Sequence, residues 1–542
     1  MNSAASFSSP SGLSQRFGSR FDTARLALVA FGVVEAVALV LFLKYGDSQW
    51  FWFDEWDFLA DRNPRDFDDL LRPHNEHWST LPILVYRVLW RLFGLRTYVP
   101  YQVTLIVLHL TAAALLRTVM RRAGVGPWIA TAAASLFALL GAAHGNILWA
   151  FQIGFVGSLV FGLVHLLLAD HDGPIEGRDW LGLLAGLAAL MCSGIGVTMV
   201  AVVGVATLIR RGWRVAVLHT APLAALYAMW WLAFARDDYA QADPSIGLIV
   251  RFVTTGLGAG FDAMGQVPGA GVALGVVLIG GLVLAWRRLD RAEIRQRAAA
   301  PCALLAGAVM FLAIAGVGRA AAFGPDFARS GRYLHLVAAF SLPALAVAAD
   351  AVARRWRALT PVMLVLLVIG VPGNLDTLAD SEPPRGVRAT RDLVLTLPRL
   401  SLAAEVPRSV RPMALVEVGS AKVTIGWLLD GLESGRIPAP GDVDPRTVAD
   451  ATFRLSIDQT FDRATHSECR ELAEPVQRRL EKGESLVIRD GPVRVVNLTE
   501  GPGPPIGLTF APLLGQTLVA LTGPLTVSLA PADSSLSVKL CS

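Results

Sequence analysis

Apolar runs close to the ~20 residues needed to cross a bilayer recur along the first 373 positions, and no other feature restricts the fold of this chain as strongly. They lie near 26–44, 98–117, 127–143, 148–169, 180–192, 195–209, 214–234, 269–286, 298–317, 333–350 and 358–373, about eleven in all. Backbone polar groups in lipid must be satisfied within the chain, so each run is expected to be a helix. Composition agrees: of 542 residues 54% are hydrophobic and 17% charged, against roughly 25% charged in an ordinary soluble protein. Disorder, collagen and a disulfide-rich secreted scaffold are excluded together. The first run is followed by Lys44-Tyr45-Gly46-Asp47, which offers no small-residue cleavage site, so it is expected to persist as a span.

Arginine placement sets the expected orientation, because short cytoplasmic loops carry the Lys/Arg excess. Arg16, Arg20 and Arg25 precede the first run, making 1–25 a cytoplasmic tail. Alternation then places Arg117/Arg121/Arg122, Arg210/Arg211/Arg214, Arg287/Arg288/Arg291/Arg295/Arg297 and Arg354/Arg355/Arg357 on that same side. The stretch 246–260 is apolar but glycine-rich and carries Arg251. A crossing there would move 287–297 outside, so a re-entrant or interfacial piece lining a cavity is expected instead. Of the 48 basic residues only four are lysines, and no basic stripe is interleaved with aromatics, which argues against nucleic-acid binding.

Eleven spans from an inside start leave 374–542 on the outer face. After linkers at 372–374 and 381–386, amphipathic helices are expected near 387–399, 423–436 and 468–482. A hairpin of 485–489 with 493–498 around Asp490-Gly491-Pro492 should follow, then strands at 517–521 and 525–529. The expected fold is thus a polytopic α-helical membrane protein with about eleven transmembrane helices (26–373, including an outer loop 45–97) and a C-terminal extracytoplasmic α+β domain. Cys192 and Cys302 sit in apolar runs as small buried hydrophobes. Cys469 and Cys541 could pair if their domain is extracytoplasmic; the sequence leaves this open.

The outer loops hold the residues suited to chemistry. The first opens Trp50-Phe51-Trp52-Phe53-Asp54-Glu55-Trp56-Asp57-Phe58. An interface belt accounts for the tryptophans but not for three acids among them. Asp54 and Asp57, three apart, would share a helical face at the leaflet surface. His74-Asn75-Glu76-His77-Trp78 comes next, ahead of an amphipathic stretch at 81–95 suited to lying on the membrane. His74, Glu76 and His77, with Asp54, are the candidates for a divalent cation, although the spacing matches neither H-E-x-x-H nor a closed zinc site. Otherwise they would hydrogen-bond an acceptor. The second outer loop offers His144, Asn146 and Gln152 for sugar hydroxyls, or for helix-helix hydrogen bonds. In a later loop Arg329 and Arg332, followed by Tyr333, are spaced to clamp a phosphate with forked donors, with Arg251 and Arg319 as lesser candidates. The chain contains no repeat, P-loop, paired CxxC or nucleophile elbow.

A first span, an outer loop opening with acids, surface-lying helices, many further spans and a soluble outer domain together resemble the GT-C superfamily of membrane glycosyltransferases. The sequence support lies in 52–57, 74–78 and 329–333, and the likeness is closest to bacterial enzymes that use polyprenyl-phosphate sugars. The resemblance implies inverting transfer of a sugar from a polyprenyl-phosphate carrier to an envelope glycan, lipid or protein acceptor at the outer face of the bacterial inner membrane. Asp54 would be the base, with Asp57 or Glu55 as its substitute, and Arg329, Arg332 and Tyr333 would bind the donor phosphate. Many relatives carry a second acid in the second outer loop, where this chain has His144, Asn146 and Gln152, which shifts any second acidic role towards Glu76. No organic cofactor is implied, and a divalent cation is left open. Two other classes stay open: a lipid or glycan flippase or transporter, which would need ionisable residues inside spans, and a non-catalytic envelope assembly protein.

Overall fold

The computed structural model describes residues 11–541 apart from 237–244, 288–289, 414, 420, 461–468, 472–474, 490–492, 499–505, 511–515 and 532–538. By contact the chain divides into two compact units that cut across its linear order. One comprises Met1–Asp47, Leu71–Leu81 and Gln102–Ser381, the other Ser48–Leu70, Pro82–Tyr101 and Glu382–Ser542. Most of the loop 45–97 thus clusters with the C-terminal residues.

The first unit is a helical membrane body. Among the described residues eight helices are long and apolar enough to cross a bilayer: Asp22–Tyr45, Val99–Arg122, Ala150–Ala169, Trp213–Ala235, Ile246–Gly265, Ala299–Phe323, Gly331–Arg355 and Arg357–Ala379. Seven coincide with expected runs. The other four expected runs are shorter helices, Pro127–Ala138, Gly177–Leu190, Ile195–Arg211 and Ala270–Trp286. The eighth long helix, Ile246–Gly265, covers the stretch expected as a re-entrant or interfacial piece and contains no re-entrant turn. It is unbroken, capped by the Ser245 hydroxyl accepting from the Leu248 N–H, and its glycines allow close packing rather than a break. Cβ atoms at Gly256 and Gly260 would lie 2.6 Å from Leu312 and 2.4 Å from Val337.

Polar contacts sort the loops of this unit into two ends. At one, Arg122 donates to the Leu167 carbonyl, Arg354 to that of Gly124, and Arg210 to Asp170 and to the Gln296 carbonyl. Arg295 donates to the Arg210 carbonyl there. At the other, the Trp230 indole donates to Leu71, the Leu81 N–H to Met191, and Asn374 joins the Ala142 N–H to the Ala263 carbonyl. Helices such as Ala299–Phe323, 25 residues and so roughly 37 Å long, connect the two. Four arginine clusters therefore share one end, as the sequence required. Gly141 is needed at the other, since a Cβ there would meet the Asn374 carbonyl at 1.7 Å.

The second unit contains the helix Pro82 onwards of Thr80–Phe93, the helices Val387–Thr396, Ile425–Glu433 and Pro445–Leu455, and, among the described residues, nine strands. These are β1 (Ile457–Thr460), β2 (Cys469–Glu471), β3 (Val476–Leu480), β4 (Ser485–Arg489), β5 (Val493–Asn497), β6 (Ile506–Phe510), β7 (Gln516–Ala520), β8 (Leu525–Pro531) and β9 (Lys539–Cys541). They form a five-stranded sheet ordered β1-β7-β4-β9-β2 and a four-stranded sheet ordered β3-β8-β5-β6. The inward alternation of Leu525, Val527 and Leu529 on β8 and of Val493 and Val495 on β5 builds a core with Ile457, Leu480, Ala520 and Phe453.

Two expectations fail here. Within the stretch 468–482, Cys469–Glu471 and Val476–Leu480 are β2 and β3 rather than helix, Pro475 lacks the donor a helix interior needs, and β3 pairs antiparallel with β8; 468 and 472–474 lie outside the described residues. Likewise β4 and β5 do not form a hairpin. They lie in different sheets, β4 pairing with β7 and β9, and β5 with β6 and β8; the turn 490–492 lies outside the described residues. Cys469 and Cys541 are register partners in β2 and β9.

Candidate functional site

The acids Asp54, Glu55 and Asp57 lie in the second unit, and their environments separate them. Glu55 is fully buried, and both its oxygens are engaged: Oε1 accepts from Tyr86 Oη at 2.6 Å and Tyr98 Oη at 3.0 Å, Oε2 from the Trp52 N–H at 2.9 Å. Burial, with the Glu55 carboxylate beside it, pushes the Tyr86 phenol well above its ordinary pKa, so it stays a donor. Asp57 is also buried and receives the Arg62 guanidinium, with Nε at 3.1 and 3.0 Å from its two oxygens and Nη2 at 2.9 Å from Oδ2. Both carboxylates are thus held by donors in the loop's framework. The third acid, Asp54, is half-buried and follows Phe53, whose φ of 50° is rare for a bulky side chain. Aromatic packing fixes this loop: Phe51 meets Tyr98 and Tyr101 edge-on, and Trp56 meets Trp427, which stacks on Trp90.

A second cluster belongs to the first unit. His74-Asn75-Glu76-His77 is a two-residue hairpin, closed by reciprocal N–H to carbonyl bonds between His74 and His77 at 3.0 and 2.9 Å. Asn75 and Glu76 both have positive φ, 46° and 70°, the pattern of a type I′ turn. Glu76 pairs with Arg319 at 3.6 Å. Arg319 also lies beside Tyr333, and Arg332 lies over the Phe327 and Tyr333 rings. His77 is held down to a pKa of about 4 by burial first, then by Arg319, His74 and Arg332, so it is neutral at pH 7. The hairpin rings pack edge-on against Phe151 and Phe155. Arg319 thus faces the one carboxylate of the hairpin, and Arg332 adds a second positive charge near His77.

The remaining candidates scatter. Arg329 pairs with Asp326 on the surface, their side chains 59% and 86% exposed, and Arg251 is exposed. Asn146 is fully buried and donates to the Arg332 carbonyl at 3.1 Å. His144 bonds the Gly141 carbonyl at 3.2 Å. The side-chain oxygens of Asn146 and Gln152 are buried acceptors with no hydrogen-bond partner among the described residues. Among those residues no group of three or more His, Cys, Asp or Glu is arranged to hold a metal ion, and the hairpin does not fit one: His74 is bonded to the Asn75 amide and Glu76 faces a guanidinium.

Sequence reasoning placed Arg319 behind Arg329 and Arg332, since its partner Glu76 is remote in the chain. It also passed over Glu35 inside the first long helix, an acid in an apolar run, and the buried Asp179, which accepts from Arg211, His171 at 3.2 Å and His219 at 3.0 Å. No protein-family model matches the chain, and no curated protein does either.

Proposed function

We propose that the protein transfers a sugar from a polyprenyl-phosphate carrier to a hydroxyl-bearing envelope acceptor, with inversion at the anomeric carbon. The observation that carries this reading is the placing of Arg319 and Arg332, near the ends of the helices Ala299–Phe323 and Gly331–Arg355, beside the His74–His77 hairpin with Tyr333 alongside, a preorganised cationic cradle. Asp54 is the base: it takes the acceptor hydroxyl proton as the acceptor oxygen bonds to the anomeric carbon and the carbon–phosphate oxygen bond breaks. In the first unit, Arg319 and Arg332 suit the charge of a polyprenyl phosphate. Glu55 and Asp57 hold the loop that presents Asp54, and His74, His144, Asn146 and Gln152 supply sugar or acceptor contacts, the last two through their unpartnered oxygens. The N-terminus and the arginine-rich end are cytoplasmic, eleven helices cross the bacterial inner membrane, and 374–542 is extracytoplasmic.

A second reading, lipid or glycan flipping, draws on ionisable groups inside the helical unit. His109 and His335 bond at 3.0 Å, His165 and His219 at 3.0 Å, and a carboxylate oxygen of Glu35 is buried with no partner among the described residues. Purified protein in vesicles with radiolabelled polyprenyl-phosphate sugar separates the two. Consumption of the donor supports the transferase, movement across the bilayer without consumption supports the flippase, and neither overturns both.

A further inference from the structure

Helix Pro445–Leu455 ends in two adjacent residues with different tasks. Phe453 joins the core built by both sheets. Arg454, only 7% exposed, forks onto Glu417, with Nη1 and Nη2 each 2.9 Å from a carboxylate oxygen. It is steadied by Asp450 at Nε, 2.9 Å away, and by the Pro412 carbonyl. The backbone carbonyl of this same Glu417 accepts the Phe53 N–H at 3.1 Å. Phe53 is the residue in the left-handed region, and Asp54 is next in the chain. Two positions on from Glu417, Gly419 comes so near that a Cβ there would lie 3.7 Å from Asp54 Oδ1.

We propose that Arg454 is a positioning residue for Asp54. By clamping Glu417 it fixes the carbonyl that holds Phe53 in its strained conformation, and that conformation aims the Asp54 carboxylate. This rests on the reading of Asp54 as the base, and it gives the C-terminal residues a task in the reaction: they set the geometry of an acid some 400 positions earlier in the sequence. The physical argument is one of links. A bidentate guanidinium–carboxylate pair with little solvent access has one arrangement, and left-handed backbone at a bulky residue persists only where its surroundings over-determine it. Removing the clamp lets the 53–54 backbone relax towards an ordinary conformation and swings Asp54 off its line.

The test uses the full chain in lipid nanodiscs, with Arg454→Gln, Glu417→Gln, Arg454→Lys and Asp54→Asn. Amide hydrogen exchange at Phe53 reads the link itself, and steady-state turnover of a polyprenyl-phosphate sugar reads its consequence. Protection of Phe53 is expected to fall about tenfold or more in Arg454→Gln and in Glu417→Gln. In both, kcat should drop by about 100-fold while KM for the donor stays within about twofold, as for a misaimed base, and Arg454→Lys should recover part of each loss. Unchanged Phe53 exchange in both variants overturns the proposal, as does unchanged kcat in variants whose Phe53 is deprotected. If Arg454→Gln does not fold, Glu417→Gln carries the same decision. Turnover by Asp54→Asn would instead remove the base assignment, while Phe53 exchange still decides the clamp.

Discussion

At the scale of single residues, three acids within four positions differ in what surrounds them. Glu55 is a buried acceptor for three donors, so removing one leaves a charged oxygen short of a partner. Tyr86→Phe should therefore cost about 2 kcal/mol, read as a lower melting temperature in detergent; an unchanged value would mean the bond is not formed. These partners were not legible in the sequence, because Tyr86 and Tyr98 stand 31 and 43 positions from Glu55 and nothing local marks them. The same holds for Arg319, preferred over Arg329 only once the Glu76 hairpin is seen beside it. His77 adds a pH signature. Its pKa is lowered from 6.5 to about 4, so between these values the unfolded chain binds the proton and the folded chain does not. The stabilising contribution of neutral His77 is fully present above pH 6.5 and is lost as pH falls towards 4. The wild-type melting temperature should drop across that window more steeply than that of His77→Gln. Equal slopes would contradict the half-buried, neutral imidazole.

At the scale of elements, the hairpin His74–His77 stores strain in its Glu76, a non-glycine residue at a φ of 70°. Glycine would adopt that conformation freely. Glu76→Gly is expected to leave the melting temperature unchanged or raise it while impairing sugar transfer, since the Arg319 partner is gone. A clear fall in melting temperature would show that the ion pair outweighs the backbone term. Helices were the legible elements. A run of twenty apolar residues has one solution in lipid, so all eleven expected runs are helical, and only their lengths differ. Strands existed where alternation marked them, at 485–489, 493–497 and 525–529, but their partners did not follow. Adjacent strands β4 and β5 read as a hairpin by proximity, whereas pairing is decided by which faces share the core around Phe453 and Val527. At 468–482 the helical periodicity of the apolar positions misled, and Pro475 was the signal that should have overruled it.

At the scale of the whole molecule, the arginine clusters gather at one end of the helical unit and the histidine hairpin at the other, which makes orientation a single binary question. In a cysteine-free background, Asn75→Cys should react with a membrane-impermeant maleimide in intact cells, and Arg295→Cys only after permeabilisation. The reverse pattern would invert the topology and place the proposed chemistry in the cytoplasm. Sugar transfer itself is tested most directly by the release of polyprenyl phosphate from a purified lipid-linked donor, compared among wild type, Asp54→Asn and Arg319→Gln. Release is predicted for wild type. Asp54→Asn should bind donor but release nothing, and Arg319→Gln should bind donor about 30-fold more weakly for loss of a charge-assisted contact. Normal release by Asp54→Asn, or none by wild type with any polyprenyl-phosphate sugar, would contradict the account.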